Sequence, residues 1–352
     1  MNILGIGTIF NRGRGVSSFA EALQEGWVSP SISTDPFSPV YRVDPELLND
    51  QEIARKIRRA DKFATMAVIA ASDAVKDSGI PADQVCSSLG IIVSTGFGPH
   101  ATTFHFLDDI LTYGDAGVSP TSFSHSVHNA AASYIASLLK SRGPAITLTQ
   151  FAFPFHQALI IAQAWIKEGR CKNVLVGGVD ECGTVMEYVC RKKLSLDAQG
   201  KIRPFQFSDK PVTVPGEGSV FFLLGEDNDQ PSYCKIEDVY FDPDRLGGDK
   251  PDLYLLDADG MTGDESVYRK SIAGNIPAAS YTPLFGAMMM GSAFHCLAGA
   301  LSIKNNLLYA CPVPENPFNI SICKLTTQAK ISSIHCIKFN CSSRPAVIRL
   351  TT

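Results

Sequence analysis

Apolar residues recur along this chain in two alternating rhythms, one of strand length and one of helical spacing. Asn2 to Ile9 alternates small and apolar side chains like a buried strand, and Val16 to Gly26 has helical spacing closed by a glycine. Trp27 to Asp50 is rich in Pro and Ser and predicts an irregular loop. One long helix from Gln51 to Ser78, or two helices breaking near Asp61, ends at Gly79-Ile80-Pro81. A β-branched run, Leu89 to Ser94, leads into the glycine-rich turn Thr95 to Gly98. Helices are then expected at His100 to Tyr113, Asn129 to Lys140 and Phe155 to Glu168. Strands are expected at Ala145 to Gln150, Asn173 to Gly178 and Gly218 to Leu224.

A polar passage from Asp227 to Pro231 interrupts the pattern, which restarts in shorter form. Strands near Lys235 to Phe241 and Asp252 to Leu256, a helix near Gly291 to Lys304, and strands near Ser332 to Phe339 and Ala346 to Leu350 follow. Strands apolar on both faces and alternating with helices imply an α/β fold with a parallel or mixed sheet under helices. The expectation is one compact unit of two related halves, 1–228 and 229–352.

Composition narrows the function classes. A chain of 352 residues, 45% hydrophobic and 19% charged, can bury one large core or two fused ones. A net charge of -4 supplies no basic stripe for nucleic acid and no lysine cluster for a membrane surface, so small molecules or proteins are the expected partners. The N-terminus lacks the pattern of a signal peptide or membrane span, so a cytoplasmic location is expected. Ten scattered cysteines contain no C-x-x-C pair, which favours buried thiols over a zinc site. Asp257, Asp259 and Asp264 lack the ligand spacing of a calcium loop, so no metal is expected.

Several segments in order resemble the β-ketoacyl synthases. They are GIGTIFNRGRGVSSFAEALQEG, DKFATMAVIAASDAVKDSGI, VSTGFGPHATTFHFL, SVHNAAA, RGPAITLTQ, KNVLVGGVDE, VPGEG and the late YACPVPENP. The resemblance implies a thiolase fold, two similar βαβαβαββ halves in five α-β-α-β-α layers, and no cofactor. In that family a cysteine at the start of the helix after the GP strand carries the acyl thioester, helped by the helix dipole. Counting from Gly143-Pro144, its position falls on Ala152, which has no nucleophile. Asp259 stands where the first catalytic histidine is expected and Met288 where the second is expected. A carboxylate at Asp259 would repel a malonyl carboxylate. Gln150, Phe151, Phe153 and Phe155 surround the elbow, and Phe339 remains from the family's late G-F-G-G turn, so this pseudo-active site is expected to be filled.

Three losses on a legible scaffold resemble the chain length factor, or ketosynthase β subunit, of type II polyketide synthases, of the Gram-negative anthraquinone or aryl-polyene type. The resemblance implies a non-condensing subunit in a heterodimer with an active ketosynthase, working on chains carried by an acyl carrier protein. It also implies that His100, Thr103, Phe104 and Leu107, on one face of a helix, close a polyketide tunnel, and that His125 and His128 lie at the dimer interface. Plain core packing is the alternative for that helix face. Two rival functions remain: an acyl transferase or malonyl decarboxylase of altered chemistry using Gln150, Asp259 or His295, and a homodimeric module that binds acyl carrier protein.

Overall fold

The computed structural model describes residues 1–34, 37–114, 117–226, 231–248, 250–272 and 274–352. The proposed division between residues 228 and 229 lies outside the described residues. The first half runs β1 (Asn2–Phe10), β2 (Gly13–Arg14), α1 (Gly15–Glu25), β3 (Ser31–Thr34), β4 (Phe37–Val40), α2 (Gln51–Lys56), α3 (Lys62–Asp77) and α4 (Ala82–Cys86). It continues through β5 (Gly90–Thr95), α5 (His100–Tyr113), α6 (Pro120–Ser126), α7 (Ala130–Leu139), β6 (Ala145–Thr149), α8 (Pro154–Lys167), β7 (Asn173–Asp180), α9 (Thr184–Lys193) and β8 (Gly218–Gly225). The second half comprises β9 (Lys235–Tyr240), β10 (Leu253–Leu256), α10 (Ser266–Ser271), β11 (Ala278–Ala279), α11 (Ser292–Asn305), β12 (Leu307–Leu308), β13 (Thr327–Gln328), β14 (Ser333–Phe339) and β15 (Pro345–Thr351).

The strand order repeats. The first sheet reads β6-β5-β7-β8-β1 and the second β11-β10-β14-β15-β9, with three parallel strands followed by two antiparallel ones in each. They meet where Asn2 of β1 pairs with Lys235 of β9. Helices α8 and α11, each following the short outer strand of its half, lie between the sheets in one core with α1. Helices α3 and α7 cover the outer face of the first sheet. Over the second sheet the outer layer is thin, formed by α10 and a 3-10 turn at Pro243–Gly247. This is the expected five-layered arrangement.

Local chemistry explains the departures from the expected elements. The segment between Trp27 and Asp50 is no plain loop: β3 and β4 pair as an antiparallel hairpin and Pro45–Leu48 forms a 3-10 turn under an Asp44 cap. The 51–78 segment divides into two helices, because Asp61 leaves helical geometry and its carboxylate caps α3 through the Ala64 N–H at 2.8 Å. Helices α4, α6, α9 and α10 have short or weakly periodic patterns and were not expected from spacing. Glycine is needed where α3 crosses β1. A Cβ on Gly7 would stand 2.0 Å from the Ala70 carbonyl oxygen and 2.5 Å from the Ala74 nitrogen, both backbone atoms with no rotamer to escape into. Gly7→Ala should therefore cost about 3 kcal/mol, read as a lower urea midpoint with unchanged slope.

Candidate functional site

The parallel strands of both halves point their C-terminal ends at one cavity of about 290 Å3. Crevices outside the carboxyl ends of the strands are where α/β sheets bind ligands. Ala152 follows β6, Asp180 ends β7, Asp259 follows β10 and Lys338 stands one residue from the end of β14, and all four line the cavity. Met288, from the loop before α11, completes the wall. Ala152, Asp259 and Met288, more than a hundred residues apart at the extremes, are thus brought to one place.

The elbow at Ala152 is built by β6 and α8. The Gln150 N–H donates to the Thr95 carbonyl at 3.1 Å, and the Gln150 side-chain oxygen accepts from the Phe153 N–H at 3.3 Å. The expected filling of the elbow is corrected here. Phe151 and Phe339 line the cavity, but Gln150, Phe153 and Phe155 do not. Phe153 packs against Phe241 at 5.5 Å and Phe155 against Phe222 at 5.5 Å, both away from the opening. Phe151 sits at the mouth, 61% exposed, its ring 4.8 Å from that of Phe97. The cavity is open rather than plugged.

Its floor is a buried ion cluster. Lys338 Nζ lies 2.8 Å from Asp257 and 3.3 Å from Asp259, and the His295 Nδ1 is 2.6 Å from the other Asp257 oxygen. Ser292 donates to Asp257 at 2.8 Å, and His295 Nε2 accepts the Tyr281 N–H at 3.2 Å. Burial alone would push the Asp257 carboxyl up, but Lys338 and His295 outweigh it and hold it well below the usual carboxylate range. Burial likewise works against the Lys338 charge, and Asp257 and Asp259 overcome it. The ammonium is therefore spent on its own carboxylates and offers little to a thioester carbonyl. His295 stands behind this cluster and does not line the cavity. Asp259 also accepts the Met261 N–H at 2.9 Å.

Two further carboxyls were missed by sequence reasoning. Asp180 accepts from the Gly96 and Met290 amides and the Thr95 hydroxyl at 2.8 to 2.9 Å, tying β5, β7 and the α11 approach together. Burial pushes it above its ordinary value. Glu181 lines the cavity, accepts the Ala101 N–H at 2.9 Å, and is pushed by burial up to about 7. The available signal was an acidic pair ending an otherwise apolar strand, as Lys338 is the one charge in SIHCIKF. Cys182 and Cys190 also line the site; burial raises the first thiol well above normal and the second to about 11.

None of His100, Thr103, Phe104 and Leu107 lines the cavity. His100 is buried 3.7 Å from Glu181, and the Thr103 hydroxyl donates to the Pro99 and Ser126 carbonyls. Phe104 and Leu107 stand 40% and 45% exposed on α5. His125 bonds the Tyr134 hydroxyl at 2.7 Å. Among the described residues no cluster of His, Cys, Asp and Glu is arranged to hold a metal ion, and no helix is long and apolar enough to cross a membrane.

Residues 2–230 match the family of the beta-ketoacyl synthase N-terminal domain. The chain belongs to the β-ketoacyl synthase family. Curated proteins similar to this chain include nodulation protein E of Rhizobium leguminosarum bv. trifolii, 29% identical over 228 residues, covering 63% of this chain and 57% of the relative. Nodulation protein E of Rhizobium meliloti (strain 1021) is 25% identical, with coverages of 63% and 56%. The matched segment thus spans just over half the length of these relatives. Solved structures agree in fold over the whole chain. A type II PKS acyl-carrier protein in complex with its ketosynthase bound to the hexaketide superposes with a TM-score of 0.84 at 15% identity, covering 100% of this chain and 98% of that one. The ishigamide ketosynthase/chain length factor gives 0.82 at 17% identity, with coverages of 100% and 98%.

For a β-ketoacyl synthase family member, the contents of this site are unusual: the elbow keeps its strand, turn and helix, yet Phe151 to Phe155 includes no nucleophilic side chain. Removing one partner from the floor should be costly. Lys338→Met removes the ammonium shared by two buried carboxylates, leaving Asp257 to His295 and Ser292 and Asp259 to the Met261 N–H, and is expected to lose about 3–5 kcal/mol in chemical denaturation. Glu265, beneath the loop that carries Asp259, is pushed up to about 8 by burial and accepts the Gly260 N–H. Its folded value lies above its unfolded one, so the stability it lends is complete below pH 4.5 and is lost as pH rises through 8. Glu265→Gln should flatten the fall in melting temperature between pH 6 and pH 9, retaining on the order of 2 kcal/mol at the alkaline end.

Proposed function

We propose that this chain is a non-condensing ketosynthase-like subunit that pairs with an active ketosynthase and helps set polyketide chain length. The observation that carries this reading is the intact elbow around Phe151-Ala152-Phe153-Pro154-Phe155. A shift of one residue in either direction would still place no thiol or hydroxyl at the nucleophile position. An acyl group has no residue to bond there, while Asp259 and an ammonium of Lys338 already paired with two carboxylates leave a malonyl thioester without a free polarising donor. Catalysis then belongs to a partner, and this chain supplies shape.

The surface supports the same reading. Strand β6 is the outer strand of its sheet, paired with β5 on one side. Apolar side chains are exposed on the segments that follow β5 and β6: Phe97 and Phe151, with rings 4.8 Å apart, and Phe104, Leu107 and Leu111 on α5. Exposed apolar side chains together with an open sheet edge favour a protein partner. An active ketosynthase joined along β6 would bring its own tunnel against α5, where Phe104 and Leu107 become walls. Acyl carrier protein delivers the chain to that partner.

Co-expression with a candidate ketosynthase should yield a stable 1:1 complex, whereas the chain alone should self-associate or precipitate. Leu107→Asp should abolish pairing. Within the complex, Leu107→Trp should shorten the product by at least one two-carbon unit; an unchanged product would sink the tunnel assignment. Incubation of the purified chain with an acyl-carrier thioester should leave its mass unaltered, and a covalent acyl adduct would favour an acyl transferase instead.

A further inference from the structure

Four of the chain's seven methionines, Met186, Met261, Met288 and Met289, line the central cavity. They come from three separate segments, so their convergence does not follow from one sequence run. Thioethers are polarisable and flexible, and sulfur packs favourably against aromatic ring edges. Aromatic side chains guard the same space, with Phe97 and Phe151 paired at the mouth and Phe339 in the wall. The hydroxyls nearby are engaged elsewhere: Thr213 donates to the Asp259 carbonyl and Thr262 to the Phe339 carbonyl. The remaining polar lining is weighted toward carboxyls, with Asp180, Glu181 and Asp259 against Lys193 and a Lys338 already bound by two acids. An anionic ligand is disfavoured by that balance. A neutral one is not.

We infer that the cavity is a non-covalent binding site for an uncharged, flat, π-rich molecule of about two fused rings. An apolar cavity of about 150 Å3 accommodates benzene, and this one, at about 290 Å3, has room for a second ring. The inference deepens the reading of the chain as a non-condensing subunit and rests on it for the source of the ligand, an aromatic or conjugated stretch of a growing chain. The binding itself follows from the walls. With no nucleophile at the elbow, such a ligand enters and leaves without bond formation, held by stacking and thioether contact.

The probe is 2-naphthol, neutral near pH 7, titrated into the full-length chain and followed by its fluorescence. Saturable binding at one site per chain is expected, at least tenfold tighter than that of decanoate, an apolar but saturated and anionic molecule. Ala152→Trp should fill the cavity and weaken naphthol binding at least tenfold. If that variant does not fold, by circular dichroism, Met261→Leu combined with Met289→Leu keeps the volume while removing two sulfurs. It should weaken naphthol about fivefold and leave decanoate unchanged. Absence of naphthol binding, equal binding of decanoate, or indifference to these substitutions overturns the inference. A chain that binds naphthol but pairs with no ketosynthase overturns the subunit reading alone, and one that pairs but does not bind naphthol overturns this inference alone.

Discussion

The burial of helix α8 between two sheets fixes nearly everything else about this molecule. Phe155, Ala158, Leu159 and Ala162 are fully buried, so the helix cannot rotate or slide without opening the core shared by both halves. Its N-terminal end must therefore emerge where β5, β6 and β7 finish. The repeat of the topology sends α11 into the same layer from the other half, preceded by Met288 and Met289. A cavity at their meeting point is a product of packing. It survives the absence of a nucleophile because nothing in that packing depends on one.

What fills the floor of the cavity is the more specific choice. Lys338 buried beside two carboxylates has no isolated charge to offer, and each member of the cluster would be costly to leave without the others. A site that had lost a single cysteine would keep groups aimed at a substrate. Here the groups are aimed at one another. Asp257 holds Lys338, Ser292 and His295 at once, which anchors β10, β14 and the start of α11 in a single network. The cluster thus acts as a fastening between loops, giving the cavity rigid polar foundations beneath adaptable thioether walls.

Much of this was legible in the chain because periodicity reports burial. Strands β1, β5 to β10, β14 and β15 and the helices α1, α3, α5, α7, α8 and α11 follow patterns that hydrophobic spacing resolves to within a residue or two, whereas the two-residue strands β2, β11, β12 and β13 are too short to show a period. The hairpin β3-β4 was hidden in a stretch whose Pro and Ser content favours turns, and α9 in the sequence TVMEYVCRKK, where polar and apolar residues mix. Ala152, Asp259 and Met288 could be placed together by resemblance. Direction could not: Phe151 faces the mouth while Phe153 and Phe155, at alternate positions in the same run, turn into other contacts. The pairing of Lys338 with Asp257 joins residues 81 apart, a separation that no local pattern encodes.

The cavity mouth is close in the chain to the exposed apolar residues of α5. Phe97, which precedes α5, and Phe151, which follows β6, form the aromatic pair at the opening, and Phe104 and Leu107 are exposed further along α5. A partner that joined along β6 and reached Phe97 and Phe151 would cover that opening. On the proposed reading the two roles then become one: pairing removes exposed apolar side chains from water and simultaneously closes the space behind Ala152 to solvent. Water excluded from a thioether-lined cavity strengthens the packing of whatever chain remains inside. The limit on that chain would be set by walls from both subunits, with the bond-forming residue on one side and the volume restriction on the other.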